Sequence, residues 1–350
     1  MNQTILVTGG AGFIGSHVVD ALVEAGATVR VLDLLLDAAH TGRPDYLNPG
    51  AEYVFGDLRD QDLVERTLQG VTAVSHQASM VGLGTDLGDV AAYVDHNDAG
   101  TAALLLALHR RDFTGRLVLG SSMVVYGEGA YRCPRHGVVR PLPRAQARLA
   151  AGEFESSCPT CATDLAPESI SEDAPTDPRN VYAATKLHQE HLCSVFARER
   201  AVPLVVLRYH NVYGPRMPQD TPYAGVASIF RSALESGRPP RVFEDGRQLR
   251  DFVHVRDIAE ANVLAINEHA PAGVFNVASG DPHTVGEMAD ELTDGHGGRP
   301  IVTGEYRLGD VRHVFASIDH ARARLGYEPS VAFAEGMREF VTAPLRGPKA

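Results

Sequence analysis

The chain has 350 residues, 44% hydrophobic and 22% charged, which is the composition of an ordinary soluble globule with room for one large domain or two closely joined ones. Its formal charge of −12, with no basic stripe, argues against a nucleic-acid surface and leaves open a small anionic ligand held in a local positive pocket. No apolar run approaches the ~20 residues of a membrane helix. The N-terminus lacks a basic leader, and the chain carries only four cysteines, so a reducing, cytoplasmic setting is expected.

Residues 3–8 read as a short buried strand. The turn Gly9-Gly10-Ala11-Gly12-Phe13-Ile14-Gly15 follows, and helical spacing runs from Phe13 to Ala25. In such a turn Gly9 permits the bend, Gly12 lets backbone approach a pyrophosphate, and Gly15 lets helix and strand pack closely. Phe13 and Ile14 then open the helix whose free N–H groups face phosphate. A second strand, 28–33, ends on Asp33, 18 residues after Gly15. A carboxylate there accepts hydrogen bonds from ribose hydroxyls and repels a 2′-phosphate, so the expected dinucleotide is NAD. Asp57 and Leu58, after a third strand at 52–56, are candidates for the adenine edge.

Further strands are expected at 71–75, 116–121 and 203–208, with helices at 60–69, 89–110 and 181–200. The alternation predicts an α/β chain built on a Rossmann doubly wound parallel sheet. Residues 129–179, rich in Pro, Arg, Cys and Ser, break the rhythm and read as an insertion. After about residue 212 the pattern loosens. Helices near 223–236, 255–269, 284–293 and 332–342 and a strand at 241–243 suggest a smaller mixed C-terminal lobe. The expected division is 1–212 for the NAD-binding domain, 213–344 for a substrate-binding lobe and 345–350 for a frayed tail.

Tyr182 and Lys186 open the helix at 181–200, and i, i+4 spacing puts both on one face. A free phenol has a pKa near ~10 and is a poor base at neutral pH. A neighbouring ammonium favours the phenolate. The chain uses Arg almost everywhere, and its only lysines are Lys186 and Lys349, so a lysine kept beside Tyr182 is informative. Ser122 ends the strand at 116–121, and ligands of open parallel sheets sit beyond the carboxyl ends of strands. It is placed to hydrogen-bond a substrate oxygen. Ser122, Tyr182 and Lys186 are the expected catalytic residues.

Cys133-Pro-Arg-His136 and Cys158-Pro-Thr-Cys161 lie in the insertion with 21 residues between the pairs. That spacing fits a closed, structural zinc site. The alternative is a set of reduced, metal-free thiols. Cys193, in the helix after Lys186, is expected to pack.

These motifs, with His76-Gln77-Ala78-Ser79, Asn97-Asp98-Ala99-Gly100-Thr101, Arg208-Tyr209-His210-Asn211-Val212-Tyr213-Gly214-Pro215-Arg216, Arg250-Asp251-Phe252-Val253-His254-Val255 and Gly309-Asp310-Val311-Arg312-His313, resemble the extended short-chain dehydrogenases/reductases of the nucleotide-sugar epimerase/dehydratase family. Within it, Ala78 to Gly82, Tyr126 to Pro134 and the cysteine-bearing insertion resemble dTDP-L-rhamnose 4-epimerase-like proteins. The resemblance implies that Gln77, Ala78, Asn97 and Tyr209 join the cofactor site. It implies that Asn211, Arg250 and Arg307 hold a substrate diphosphate, and that Val226 and Val242, with residues on to Gly246, lie against the nucleotide. It also implies a homodimer through helices 89–110 and 181–200.

Dehydratases of this family place Asp-Glu directly after the active-site Ser/Thr. Here Met123 and Val124 stand there, and neither transfers a proton. The expected reaction is therefore redox at a carbinol of a dTDP- or UDP-sugar. A 4-epimerase acts by transient oxidation at C4, and a 4-ketosugar reductase using NAD(P)H is the alternative.

Overall fold

The computed structural model describes residues 3–37, 39–40, 42–81, 87–219 and 225–347. In chain order the elements are β1 (Thr4–Thr8), α1 (Phe13–Glu24), β2 (Thr28–Asp33), β3 (Ala51–Phe55), α2 (Gln61–Thr67), β4 (Ala73–His76), α3 (Val90–Tyr93), α4 (Gly100–Arg110) and β5 (Arg116–Ser122). The insertion supplies β6 (Ala130–Cys133), β7 (Gly137–Val139), α5 (Gln146–Ala150) and β8 (Ala166–Glu168). Then come α6 (Val181–Arg200), β9 (Leu204–Tyr209), β10 (Asn211–Tyr213), α7 (Val226–Glu235), β11 (Arg241–Val242), β12 (Leu249–His254), α8 (Val255–Ile266), β13 (Gly273–Val277), β14 (Pro282–Thr284), α9 (Val285–Asp294), β15 (Ile301–Val302), α10 (Asp319–Leu325) and α11 (Phe333–Thr342).

Seven strands form one parallel sheet in the order β13-β9-β5-β4-β1-β2-β3. Strands such as Leu204–Tyr209 are buried throughout, because helices cover both faces and every side chain meets a wall. One face packs Val18, Val19 and Leu22 of α1 with Ile258, Ala261 and Ala265 of α8. The other packs Val64 of α2, Leu104 and Leu108 of α4 and Cys193 and Phe196 of α6. Each such Val or Leu contributes ~1.5–3 kcal/mol by leaving water. Cys193 packs as expected.

The Rossmann sheet and the smaller mixed lobe are both present. The lobe has a three-stranded sheet, β10-β12-β14, a parallel pair, β11-β15, and a core of Tyr213, Phe230, Phe252, Met288, Met337 and Phe340. The boundary expected at 212/213 is crossed: α8 and β13 lie beyond it in sequence yet belong to the large sheet and its cover. The helix expected over 89–110 runs as α3, one π turn at Val94–Ala99, and α4. Among the described residues, no helix is long and apolar enough to cross a membrane. Residues 223–224, the start of one expected helix, Gly82 to Asp86 and the tail from 348 lie outside the described residues.

The insertion is a three-stranded antiparallel sheet, β7-β6-β8, with a core of only Tyr131, Cys133, Cys158 and Leu165. So small a core does not hold a fold by apolar burial alone.

Candidate active site and metal centre

The expected residues gather along the carboxyl edge of the large sheet. The glycine turn follows β1, Asp33 ends β2, Gln77 and Ala78 follow β4, and Ser122 ends β5. The strand order reverses direction on either side of β1 and β4, which is where such sheets open a crevice.

Gly9 has φ +70°, and a Cβ on it would sit 2.7 Å from the Ala78 backbone. A Cβ on Gly15 would sit 2.1 Å from the Gly9 carbonyl. Both glycines are thus required by close backbone packing. Gly12 is the N-cap of α1, and neither a side-chain cap nor an acidic residue covers that helix end. The uncapped N–H groups and the bare glycine surface fit a pyrophosphate. Phe13 packs on toward the second lobe and Ile14 toward the sheet. Asp33 is buried, and its two oxygens accept the N–H groups of Ala11 and Leu35 at 2.8 Å each. That fixes the carboxylate against the glycine turn, and each oxygen retains a lone pair for a ribose hydroxyl. Tyr46, which sequence reasoning missed, donates to the Ala11 carbonyl at 2.8 Å and lies beneath the Arg216 guanidinium. Asp57 is held below the usual carboxylate range by its hydrogen bonds with Arg59, and Leu58 is a core residue.

Gln77, Asn97 and Tyr209 belong to a layer of uncharged hydrogen bonds beneath this edge. Tyr209 donates to Gln77 Oε1 at 3.1 Å and accepts from Asn262 at 2.8 Å. Asn97 accepts the Met80 N–H at 2.7 Å and donates to the Met80 carbonyl at 3.0 Å and to Thr185 at 2.9 Å. It therefore ties the loop after β4 to α6. His76 bridges Thr8 and Thr101, and burial, aided by Lys186, pushes its pKa down to about 3. The Ala78 N–H donates to Thr8.

Asn180 caps α6 by accepting the Ala183 N–H, which seats Tyr182 in the first turn. Tyr182 is buried against Tyr93, and burial raises its pKa, while the nearby Ser122 hydroxyl opposes the rise. Lys186 lies one turn on, with Nζ donating to the Gly120 carbonyl at 2.6 Å. Burial lowers its pKa to about 8, against the attraction of Glu190. Lys186 thus engages the β5 backbone rather than the phenol, which ties α6 to the strand that carries Ser122. Glu190 accepts from Ser121 at 2.5 Å and from Arg208 at 2.8 Å, fixing β5 to α6. Met123 and Val124 open the turn after Ser122, and the Val124 N–H lies 3.4 Å from Ser122 Oγ.

On the facing lobe, Asn211 presents a buried side-chain oxygen without a partner. Arg250 donates to the carbonyls of Leu249, Val311 and Arg312 at 2.7–2.9 Å. Arg307 stacks on Phe243 at 4.8 Å. Burial raises the pKa of Asp310, and Arg307 and Arg250 oppose that rise, which puts both cations near one carboxylate. Val242 is fully buried in the lobe core, and Val226 starts α7 at its margin.

Beside these loops lies a buried charge network that sequence reasoning missed. Arg312, fully buried, donates to Glu155 at 2.6 Å, Glu244 at 2.8 Å and Asp245 at 2.7 Å. Arg144 donates to Glu244 and to the Asp310 carbonyl, both at 2.8 Å. His313 Nδ1 accepts the Leu249 N–H, which leaves Nε2 to donate to Glu155 at 2.9 Å.

In the insertion, Cys133, His136, Cys158 and Cys161 bring their ligand atoms within 4.8 Å of one another. The sulfurs of Cys133 and Cys161 are 3.7 Å apart, and His136 Nδ1 lies 3.5 Å from Cys133 and 3.4 Å from Cys158. A disulfide needs ~2.05 Å. The edges of a tetrahedron with ~2.3 Å metal–sulfur bonds are ~3.8 Å.

Comparison with known proteins bears out the family resemblance. The family described as "NAD dependent epimerase/dehydratase family" matches residues 5–147 and 154–278. A dTDP-L-rhamnose 4-epimerase of Burkholderia thailandensis is 32% identical over 97% of this chain and 94% of its own. A putative UDP-glucose 4-epimerase of Methanocaldococcus jannaschii is 32% identical over 96% and 97%. The crystal structure of the Thermus thermophilus UDP-glucose 4-epimerase with NAD superimposes with a TM-score of 0.77 at 32% identity, covering 97% of this chain and 98% of that one. The chain belongs to the NAD-dependent epimerase/dehydratase family of enzymes.

Proposed function

We propose that the protein is a nucleotide-sugar 4-epimerase acting on a dTDP-6-deoxyhexose such as dTDP-L-rhamnose, or on a UDP-hexose. The observation that carries the reading is the meeting of Tyr182 with Ser122 at the end of β5, above a buried Lys186, with Met123 and Val124 where a dehydratase needs acids. In this reading Ser122 orients the sugar O4, and Tyr182 takes its proton and later returns it. Lys186, buried and one turn from Tyr182, stabilises the phenolate during turnover and keeps β5 in register through Gly120. Gly9, Gly12, Gly15 and Asp33 would hold NAD, which supplies the acceptor for hydrogen at C4 and gives it back to the other face. The sugar nucleotide spans to the second lobe, where Asn211, Arg250 and Arg307 bind the diphosphate. The names of the related epimerases support the substrate class.

The test is to supply dTDP-L-rhamnose and UDP-glucose to enzyme as purified, without added cofactor, and to follow C4 configuration by NMR. Inversion without net change in nicotinamide absorbance is expected. Steady consumption of added NADH or NADPH would instead favour the ketoreductase.

The four ligands of the insertion hold a structural zinc in this reading, supported by their near-tetrahedral edges and by the thinness of the surrounding core. The expected compartment is the reducing cytoplasm, where these thiols stay available to metal. Elemental analysis of protein purified without chelator should give about one zinc per chain; a value near zero would refute the site. The chain acts as a homodimer through the outer faces of α4 and α6, where Leu106 and Val195 are exposed. Light scattering should give twice the chain mass.

A further inference from the structure

The insertion meets the second lobe through backbone bonds at Gly129 and Ile170, the edge-on packing of Tyr131 against His313, and a set of charged contacts. Its own core holds four buried residues. Two of its side chains leave that core and reach across. The Arg144 guanidinium donates from Nη1 to the Phe154 carbonyl at 3.0 Å and from Nη2 to Glu244 and the Asp310 carbonyl. Glu155 binds Arg312 on one oxygen and His313 on the other. Glu128, at the entry to the insertion, accepts the Arg312 N–H at 2.8 Å.

Every one of these side-chain contacts with the lobe lands on one of two segments, 244–245 or 310–313. These segments adjoin the groups assigned above to the nucleotide half of the cleft. Phe243 and Arg307 stack on each other, and Arg250 is clamped to the carbonyls of Val311 and Arg312. A cleft of about 210 Å³ separates insertion from turn, walled by Arg144 and Arg179 on one side and by Gly309, Asp310 and Val311 on the other. Moving Arg144 or Glu155 would leave Glu244 and Arg312 buried with too few partners. The two loops would then shift to recover them.

We propose that the insertion is a brace for the nucleotide half of the substrate site, with Arg144 and Glu155 as positioning residues, and that the metal at Cys133, His136, Cys158 and Cys161 keeps the brace formed. This rests on the nucleotide-sugar reading and on the zinc reading above. The coupling is structural. A ligand tetrahedron staples the β6–β7 turn to the 158–161 turn, and this fixes the strand-and-loop frame from which Arg144 and Glu155 project. None of the brace residues belongs to the strand end of Ser122 or the helix turn of Tyr182. The brace therefore governs binding of the nucleotide, while the chemical step is left to the large sheet.

The experiment is calorimetric titration of UDP, and separately of dTDP, into the full chain with its metal, together with steady-state kinetics. Arg144→Met and Glu155→Gln should each weaken nucleotide binding about twofold to thirtyfold, the range of coupling through packed networks. KM for the sugar nucleotide should rise by the same factor, with kcat changing less than about twofold. Chelator-stripped wild-type protein should lose nucleotide affinity to the same extent. Glu168→Gln, which removes an exposed pairing with Arg132 on the same insertion, should leave affinity unchanged. Glu155→Gln keeps the side-chain shape and one acceptor, so it remains informative if Arg144→Met lowers the yield of folded protein. Unchanged affinity in both variants, or a fall in kcat at constant KM, would overturn the brace. Full affinity in stripped protein would overturn the part given to the metal. Failure of both nucleotides to bind wild-type protein would overturn the brace and the substrate reading together.

Discussion

The two sides of the cleft are held together by different physics. Beneath the large sheet's edge, Thr8, His76, Gln77, Asn97, Thr101, Gln189, Tyr209 and Asn262 form a buried layer of uncharged hydrogen bonds. Opposite it, Arg144, Glu155, Glu244, Asp245 and Arg312 form a network of full charges centred on the buried Arg312 and Glu244. In the proposed mechanism the uncharged layer places the groups of proton transfer, and the buried Glu190–Arg208 pair beside it tempers the fall in the Lys186 pKa. The charged network joins segments from three distant parts of the chain, and strong, directional pairs specify their arrangement at the cost of removing charge from water. Catalytic edge and nucleotide loops should therefore fail in different ways.

The largest expected effect is on the catalytic side alone. Tyr182→Phe should lower kcat by about 10²–10⁴, the usual contribution of a positioned acid/base, with copurified NAD and nucleotide affinity retained. Full activity in this variant would remove Tyr182 from the mechanism. Next, Arg312→Met strands three acids and should destabilise the protein by ~3–5 kcal/mol in denaturant titrations. Asn262→Leu, which removes one uncharged partner from beneath Gln77 and Tyr209, should cost less, ~1–3 kcal/mol. The reverse order would break the distinction between the two networks.

The smallest effect is a difference in acid response. Burial holds His76 and His210 neutral in the fold, with pKa values pushed down to about 3 from 6.5. The unfolded chain takes up those protons first, so stability on the sheet side falls as pH drops from 6.5 toward 3. Burial alone would raise Glu155, but His313 and Arg312 hold it down at about 2 from 4.5. Its contribution is complete above pH 4.5 and is lost as pH falls toward 2. Hydrogen exchange at pH 5 should thus show weakened protection in β4 and β9, with the 310–313 segment unchanged. Equal weakening of both would contradict the assignment.

The two sides also differed in how far the sequence foretold them. The dinucleotide edge was legible because its chemistry is local: Gly9 to Gly15 occupy one turn, Asp33 ends the next strand, and Tyr182 and Lys186 are one helical turn apart. The Cys133, His136, Cys158 and Cys161 cluster was legible for the same reason. The role expected of Lys186 was only partly foreseen, since its contact with Gly120 depends on β5 passing beneath α6. The π turn at Val94–Ala99, which delivers Asn97 to Met80 and Thr185, hides inside an ordinary helical pattern. β12 was missed because Arg250 and Asp251 interrupt its apolar run; Asp251 is buried and accepts the N–H groups of Ser279 and Gly280. Arg312 reads as a surface residue until Glu155 and Glu244, far apart in sequence, are folded onto it. A buried charge network has no local signature, because each member is tolerable inside the protein only in the company of the others.

The most direct test of the central claim, transient oxidation and return of hydrogen at C4, uses sugar nucleotide deuterated at C4. The account predicts inverted product that keeps its deuterium at C4, with Tyr182 exchanging only the hydroxyl proton. Loss of the deuterium to water during inversion would contradict it.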